Sequence, residues 1–236
     1  MPYHGVRGDF LLGLVTEGNA FTLEEKEIGG CVFFVLTLPN GELRRRIALQ
    51  RGAREMQRRR VRRCVFPEEF SQQDCFLRRG VRAVDVQPLL RKKAGQWALA
   101  ERQARGLGGS IAVHADCMTA DVKNALCVLL REAGCVSFPQ IRGAEELQRQ
   151  IRRDSGAVLR LCSLPRLSEA ETLLDFSASA AEGQALTLRM GETRPPRFLL
   201  PAEWADILPS HGEQLAAALW ELGKIPADKI GVKSRI

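Results

Sequence analysis

The sequence predicts an α/β protein: a mainly parallel sheet with helices on both faces, preceded by a small antiparallel β-hairpin unit. From about residue 52 onward, short apolar runs alternate with amphipathic segments, a rhythm typical of strand–helix–strand crossovers in parallel sheets. The first fifty residues are instead rich in β-prone side chains and contain an Asn-Gly dipeptide, which favours a tight turn. Hydrophobic residues make up 45% of the 236 residues, so a sizeable core is available.

The N-terminal part carries the hairpin prediction. The run CVFFVLTL over residues 31–38 predicts a strand, and Asn40-Gly41 supplies residues that accept the positive φ of a hairpin turn. Leu43–Leu49 is then the returning strand. The sequence therefore predicts two domains, a hairpin unit over residues 1–50 packed on an α/β domain over residues 51–236.

The clearest crossover unit lies in the middle of the chain. Ser110–His114 is a short apolar strand, Thr119 is a candidate N-cap for a helix over Ala120–Ala133, and Gly134 is a candidate left-handed C-cap. Cys135–Phe138 follows as the next strand. In this alternation the chain resembles Rossmann-like proteins, a resemblance of architecture alone, and fold by itself implies no activity.

Composition excludes several classes of protein. No run approaches the roughly 18–20 apolar residues that a membrane-spanning helix needs, and Phe10–Val15 is flanked by Asp9 and Glu17, unlike a signal peptide. The sequence therefore predicts a cytoplasmic location and no membrane partner. The seven cysteines show no CxxC or zinc-ligand spacing. This favours buried thiols over a redox or metal role, so no metal is predicted.

The glycine cluster Gly106-Leu107-Gly108-Gly109 lies between a predicted helix and the next strand. A dinucleotide-binding loop needs its glycines after a strand, where the helix N-terminus faces the phosphates. The cluster therefore predicts a helix stop. The P-loop pattern GxxxxGK[ST] is also absent from the sequence, and no cofactor follows from the residues.

Positive charge is concentrated in one region. Residues 44–105 hold 18 Lys and Arg against 6 Asp and Glu. Arginine suits phosphate recognition, so the sequence favours a non-enzymatic binding or regulatory protein for an anionic partner: a nucleotide, a nucleic acid or an acidic protein surface. The competing interpretation is a set of solvated, partly salt-bridged faces. The candidate anion-binding residues are Arg44, Arg45, Arg46, Arg58, Arg59, Arg60, Arg62 and Arg63.

An enzyme is the first alternative, and it is neither predicted nor excluded. Ligands of doubly wound sheets bind beyond the carboxyl ends of strands, where the turn after Ser110–His114 offers His114, Asp116, Thr119 and Asp121 as candidate ligand-binding residues. The plainer interpretation is that Thr119 and Asp121 cap the helix. No residue is nominated as catalytic. Of the other histidines, His4 and His211, the second is expected to be exposed, beside Ser210 in an S-x-x-E capping box.

An assembly protein is the second alternative. An unpaired strand at the edge of the hairpin unit could pair with a second copy or with another chain. Homo-oligomers and protein partners are therefore both kept as candidate interactions.

Overall fold

The computed structural model describes residues 12–28, 30–177, 181–191, 194–205 and 211–236. Contacts group the chain into two compact units, and each unit is built from two segments of the chain. The first unit contains residues 1–85 and 200–225, and the second contains residues 86–199 and 226–236. This grouping differs from the predicted division at residue 50, which falls inside a helix.

The elements alternate as the sequence predicts. In chain order they are β1 (Leu12–Gly18), β2 (Thr22–Ile28), β3 (Cys31–Pro39), α1 (Glu42–Arg58), β4 (Arg63–Val65), α2 (Asp74–Leu77), β5 (Arg82–Ala83), α3 (Gln87–Arg105), β6 (Ile111–His114), α4 (Ala120–Ala133), β7 (Cys135–Pro139), α5 (Ala144–Ser155), β8 (Val158–Cys162), α6 (Leu164–Leu167), β9 (Thr172–Asp175), β10 (Leu186–Arg189), β11 (Arg197–Leu199), α7 (Ala202–Ala205), α8 (Gly212–Glu221), a short 3-10 helix (Ala227–Lys229) and β12 (Gly231–Lys233).

The sheet of the first unit has the strand order β2-β3-β1-β4-β5, and only the β2–β3 pair is antiparallel. An antiparallel hairpin is therefore present, but β3 pairs with β2, which precedes it in the chain, and not with residues 43–49 as predicted. The prediction of a returning strand over Leu43–Leu49 is wrong, because these residues lie in α1. Gly41 uses its positive φ of 94° at the start of that helix, so the Asn-Gly signal marks a helix start.

The first unit buries one face of α1 on its sheet. Ala53 and Met56 of the helix pack in one cluster with Phe34 and Leu36 of β3. Three phenylalanine rings extend this cluster: Phe66 stacks on Phe70, with ring centroids 5.2 Å apart, and meets Phe76 edge-on at 5.1 Å. The opposite face of α1 is left to the surface.

The sheet of the second unit is wholly parallel, with the order β10-β9-β6-β7-β8, and confirms the predicted mainly parallel sheet flanked by helices. The chain enters at β6, adds β7 and β8 on one side, and then crosses to the other side for β9 and β10. The direction of strand addition thus reverses between β6 and β9. Such a reversal is the topological switch point of a doubly wound sheet.

The predicted helix ends in this unit are confirmed. Thr119 Oγ1 accepts a hydrogen bond from the Val122 amide at 3.2 Å, at the start of α4. Gly134 ends α4 with φ 67°, and Gly106 ends α3 with φ 67°, so the glycine cluster is a helix stop. Ser210 of the predicted capping box lies outside the described residues.

A short antiparallel pair, β11 with β12, completes the second unit. Strand β12 covers only three residues. Among the described residues, no helix has both the length and the apolar character needed to cross a membrane.

Candidate functional sites

The first candidate site is the exposed side of α1. Its exposed arginines, here called the basic face, lie along the length of the helix, and one of them, Arg51, has its guanidinium 5.1 Å from the centre of the Phe21 ring. They are Arg44, Arg46, Arg51, Arg54 and Arg58. The helix has 17 residues, and at about 1.5 Å per residue it extends for roughly 25 Å. The basic face is therefore long enough to contact several phosphates of a polymer.

Half of the eight arginines predicted from the sequence form ion pairs. Arg45 Nη2 lies 2.7 Å from Glu17 Oε1, Arg59 Nη1 lies 2.6 Å from Glu25 Oε1, and Arg63 pairs with a carboxylate of α8. Arg58 pairs within its own helix with Glu55, at 2.8 Å. These contacts match the competing interpretation of salt-bridged faces for this half of the set.

The other half is exposed. Arg44, Arg46, Arg60 and Arg62 lie at the surface and form no ion pair with a described residue. Arg44 and Arg46 belong to the basic face, whereas the other two follow the end of α1. The prediction that all eight bind one anion is not tested by these contacts and stays a prediction.

Two aliphatic side chains share the exposed part of α1 with the arginines. Leu43 is 73% exposed and Ile47 is 64% exposed. Because they stand four residues apart, they lie on the same side of the helix. The surface is therefore basic with a small apolar strip near its N-terminal end.

The second candidate site lies at the switch point of the parallel sheet. His114 is the last residue of β6, Asp175 is the last residue of β9, and the two are direct partners across the parallel pair. Their side chains are only 3% and 1% exposed. Two titratable groups are thus buried side by side at the carboxyl ends of adjacent strands.

Hydrogen bonds fix this pair. His114 Nδ1 lies 3.2 Å from Asp175 Oδ1 and 3.0 Å from Ser177 Oγ. Ser177 also donates to Asp175 Oδ1 twice, from its hydroxyl at 2.6 Å and from its backbone amide at 2.9 Å. Arg189 Nε, at the end of β10, lies 3.9 Å from Asp175 Oδ2. The imidazole ring is therefore held by its Nδ1 side, and the carboxylate has a nearby cation.

The residues predicted around His114 are placed differently from it. Thr119 is used as the N-cap of α4, Asp121 lies in the first turn of that helix, and Asp116 is exposed in the turn between strand and helix. His114 is the one of the four that joins the buried pair. A ligand role for any of them is not tested and stays a prediction.

Sequence reasoning missed Asp175, Ser177 and Arg189. The sequence holds no signal that β9, which ends at Asp175, pairs with β6. A polar residue at the end of each predicted strand was the available clue, and it becomes specific only when the strand order is known.

His211 is a correction at residue scale. The expectation that it is exposed is wrong, because the ring is 3% exposed and its Nε2 lies 2.6 Å from the Val15 carbonyl oxygen in β1. Burial lowers the pKa of His211, and the hydrogen bond to the Val15 carbonyl partly opposes this effect. The residue just before α8 thus joins that helix to the sheet of its unit. His4 lies outside the described residues.

The cysteines divide by exposure. Cys31 and Cys64 are buried, and burial raises the pKa of both thiols. The expectation of buried thiols is wrong for Cys117 and Cys127, which are exposed on and beside α4. Within the described ranges, no group of three or more His, Cys, Asp and Glu side chains is placed to hold a metal ion.

Other surfaces of the described chain have a structural role. The hairpin strand β2 lies at the edge of its sheet, and its charged side chains Glu24, Glu25, Lys26 and Glu27 are exposed. Charges of this kind protect sheet edges from pairing. Assembly through the hairpin is not tested by these contacts and stays a prediction.

A cleft of about 570 Å³ between α4 and α5 lies near the amino ends of β7 and β8, away from His114.

Comparisons with known proteins add little. No protein-family model matches the chain, and no curated protein matches it. Among solved structures, a candidate aspartate carbamoyltransferase from Trypanosoma cruzi aligns with 91% of this chain and 82% of its own, at 14% identity and a TM-score of 0.32. A likeness at this TM-score supports no argument about fold or function.

Proposed function

We propose that this protein binds double-stranded nucleic acid through the phosphate backbone, with the basic face of α1 as the contact surface. The observation that supports the proposal most directly is the presence of five exposed arginines along a single helix. Arginine's planar fork bonds phosphate oxygens in pairs. A row of such groups on an exposed helix is suited to a polymer with regularly spaced phosphates.

Local charge supports a polyanion as the partner. Residues 44–63 contain ten arginines and one acidic residue, Glu55. That glutamate is half-buried and already pairs with Arg58, so it does not neutralise the other arginines of the basic face. The field above α1 is therefore positive, and a polyanion gains by releasing its counterions there.

Within the described ranges no aromatic ring is well exposed, and this favours a duplex over a single strand. Among the described residues, the large apolar side chains that are well exposed are all aliphatic. Single-strand binding proteins rely on aromatic platforms for base stacking, whereas contacts to a duplex backbone need only donors and positive charge.

The test is the salt dependence of binding to a labelled DNA duplex, measured by fluorescence anisotropy. The variant R44Q/R46Q/R51Q/R54Q removes four arginines of the basic face. We expect weaker binding, and a plot of log affinity against log salt that is shallower by about 0.9 for each phosphate that the variant no longer neutralises. The matched control R142Q/R149Q/R152Q/R153Q removes four arginines that are exposed in the second unit, and it should bind almost as wild type does.

A second control separates phosphate binding from apolar docking. In the variant L43S/I47S the exposed aliphatic strip of α1 is made polar while every arginine is kept. We expect this variant to bind the duplex normally. Binding that is insensitive to salt, or that L43S/I47S abolishes and the arginine variant does not, would contradict the proposal and indicate a protein partner.

A second candidate function is supported by the switch point. A buried imidazole–carboxylate pair lies where the strand order of the parallel sheet reverses, which is where ligands of doubly wound sheets bind. We propose a small-molecule site there, in the second unit and independent of the basic face.

A further inference from the structure

We infer that His114 Nε2 is the proton acceptor of the small-molecule site at the switch point, and that its ligand presents a hydroxyl group to this nitrogen. The inference rests on the second candidate function above, because it names the acceptor atom and the ligand chemistry of that same site. It does not depend on nucleic-acid binding by α1.

Burial of His114 and Asp175 removes water from both side chains. A carboxylate and an imidazole that are 97–99% shielded from solvent lose their hydration, and this loss is unfavourable, above all for the charged carboxylate, unless hydrogen bonds offset it. Two aliphatic side chains would fill the ends of β6 and β9 without that cost. A pair of this kind, at the point where the strand order of the sheet reverses, is best explained by a functional role.

The hydrogen bonds of Ser177 determine which ring nitrogen of His114 carries the proton. Ser177 has a single hydroxyl proton, and it donates that proton to Asp175 Oδ1 at 2.6 Å. The 3.0 Å contact between Ser177 Oγ and His114 Nδ1 therefore needs the proton to lie on Nδ1. Asp175 Oδ1, 3.2 Å from Nδ1, favours the same position. A neutral imidazole carries one ring proton, so Nε2 keeps a lone pair.

The other ring nitrogen of His114, Nε2, determines what the site can bind. Nε2 of His114 makes no hydrogen bond to any residue in the described part of the chain. A lone pair accepts a hydrogen from a donor, and it repels a carboxylate or phosphate oxygen that has only lone pairs to offer. The group that binds Nε2 is therefore a donor.

The positive charge around the pair determines which kind of donor fits. An ammonium group would meet the Arg189 guanidinium, which lies 3.9 Å from Asp175, and the partial positive charge at the start of α4, which follows β6 at the same edge. A hydroxyl donates without adding charge. When it transfers its proton, the ligand's O–H bond breaks, an N–H bond forms at Nε2, and Asp175 stabilises the resulting imidazolium. Asp175 and Ser177 are positioning residues, since they act through His114.

The tautomer of His114 is the first measurement. Long-range proton–nitrogen spectra of uniformly ¹⁵N-labelled protein at neutral pH distinguish a protonated from an unprotonated ring nitrogen. We expect Nδ1 to be protonated and Nε2 unprotonated. In Asp175→Asn the side-chain amide can donate to Nδ1, so the proton should move to Nε2, whereas Ser177→Ala should keep the wild-type tautomer. A wild-type spectrum with the proton on Nε2 overturns the inference. Because this result needs only the wild-type protein, it holds even if a variant fails to fold.

Ligand chemistry is the second measurement. The same spectra are followed while glycerol, ribose and myo-inositol are added as hydroxylated probes, and acetate and sulfate as anionic probes without a donor. We expect at least one hydroxylated probe to shift the Nε2 resonance in wild type and Ser177→Ala, and no probe to shift it in Asp175→Asn.

The remaining outcomes separate the two proposals for this site. If the probes shift backbone amides of residues 115–119 and leave Nε2 unmoved, the small-molecule site stands and the role of Nε2 is overturned. If only acetate or sulfate shifts Nε2, the hydroxyl class is overturned. If no probe shifts any resonance at this edge of the sheet, both the site and the inference fail.

Discussion

At the scale of a single residue, His211 makes the stability of the first unit depend on pH. Burial lowers its pKa from 6.5, and because the bonded partner is a carbonyl, Nε2 must be the donor. As the pH falls below about 6.5, the unfolded chain takes up a proton at this ring before the folded chain does. The contribution of His211 is therefore complete above that pH and is lost progressively below it.

The variant His211→Gln tests this contribution. Its side-chain amide can still donate to the Val15 carbonyl, but it does not titrate. We expect the free energy of unfolding of wild type to decline more steeply than that of the variant between neutrality and about pH 5. Denaturant titrations at several pH values measure both curves, and parallel curves would contradict the prediction.

The residues of the switch-point site were predictable only in part. His114 follows from the apolar run SIAVH and the capped helix after it, both of which are local signals. Asp175 ends β9, and its pairing with His114 depends on a return of the chain after two further strands and three helices. Local propensity does not encode that pairing, so the partner of His114 could not be named from the sequence.

At the scale of an element, the contact between α3 and α4 depends on a missing side chain. A Cβ at Gly95 of α3 would lie 2.9 Å from the Ala125 carbonyl oxygen and 2.9 Å from Val128 Cβ, both in α4. Glycine inside a helix usually costs about 0.5–1 kcal/mol relative to alanine. Here the close approach of the two helices reverses that preference.

We expect Gly95→Ala to destabilise the protein by about 1–3 kcal/mol through overpacking. The comparison is Gly52→Ala in α1, where the new Cβ would meet the methyl carbons of Leu36 at 2.5 and 2.7 Å. These atoms are the end of a side chain and can turn aside, so the destabilisation should be smaller. Urea denaturation of both variants measures the difference, and a stabilised Gly95→Ala would refute the argument.

Elements were predicted well where the chain carries explicit end signals. Thr119 and Gly134 bound α4 at the residues expected, since a cap depends on neighbours within one helical turn. Leu43–Leu49 failed because its apolar residues suit a strand as well as a helix. The choice was made by burial of Ala48 and Leu49 on the sheet, which is a tertiary effect.

At the scale of the whole molecule, net charge hides the distribution of charge. The first unit holds 16 Lys and Arg against 15 Asp and Glu, and the second holds 19 against 13. The basic region found in the sequence, residues 44–105, runs across the boundary between the units. The basic face of α1 therefore belongs to a unit that is nearly neutral, and its effect must be local.

The units also share the chain in an interleaved way. Helix α8 is made from the C-terminal part of the sequence but belongs to the first unit. Its Gln214 accepts a hydrogen bond from the Phe66 amide at 3.0 Å, and its Glu221 pairs with Arg63 of β4. A chain that stops after residue 199 keeps every strand of the first sheet but lacks these partners.

We expect such a truncated chain to show weaker protection of the amides in β4 and β1 against hydrogen exchange, as measured by mass spectrometry. The second sheet keeps all five of its strands in this chain, so β6 and β9 provide an internal comparison. Wild-type protection of β4 in the truncated chain would show that α8 is dispensable for the first unit.

Because the first unit is built from two distant segments of the chain, it is completed late in synthesis. The first unit is complete only about 140 residues after its last strand has been translated, a delay of roughly 7–28 s at the usual pace of about 5–20 residues per second. During that wait, nascent chains on one messenger are close together while the first sheet still lacks α8. The acidic and basic side chains along β2 disfavour pairing with a neighbouring chain at that edge. The edge strand therefore protects the protein from aggregation before its synthesis is complete.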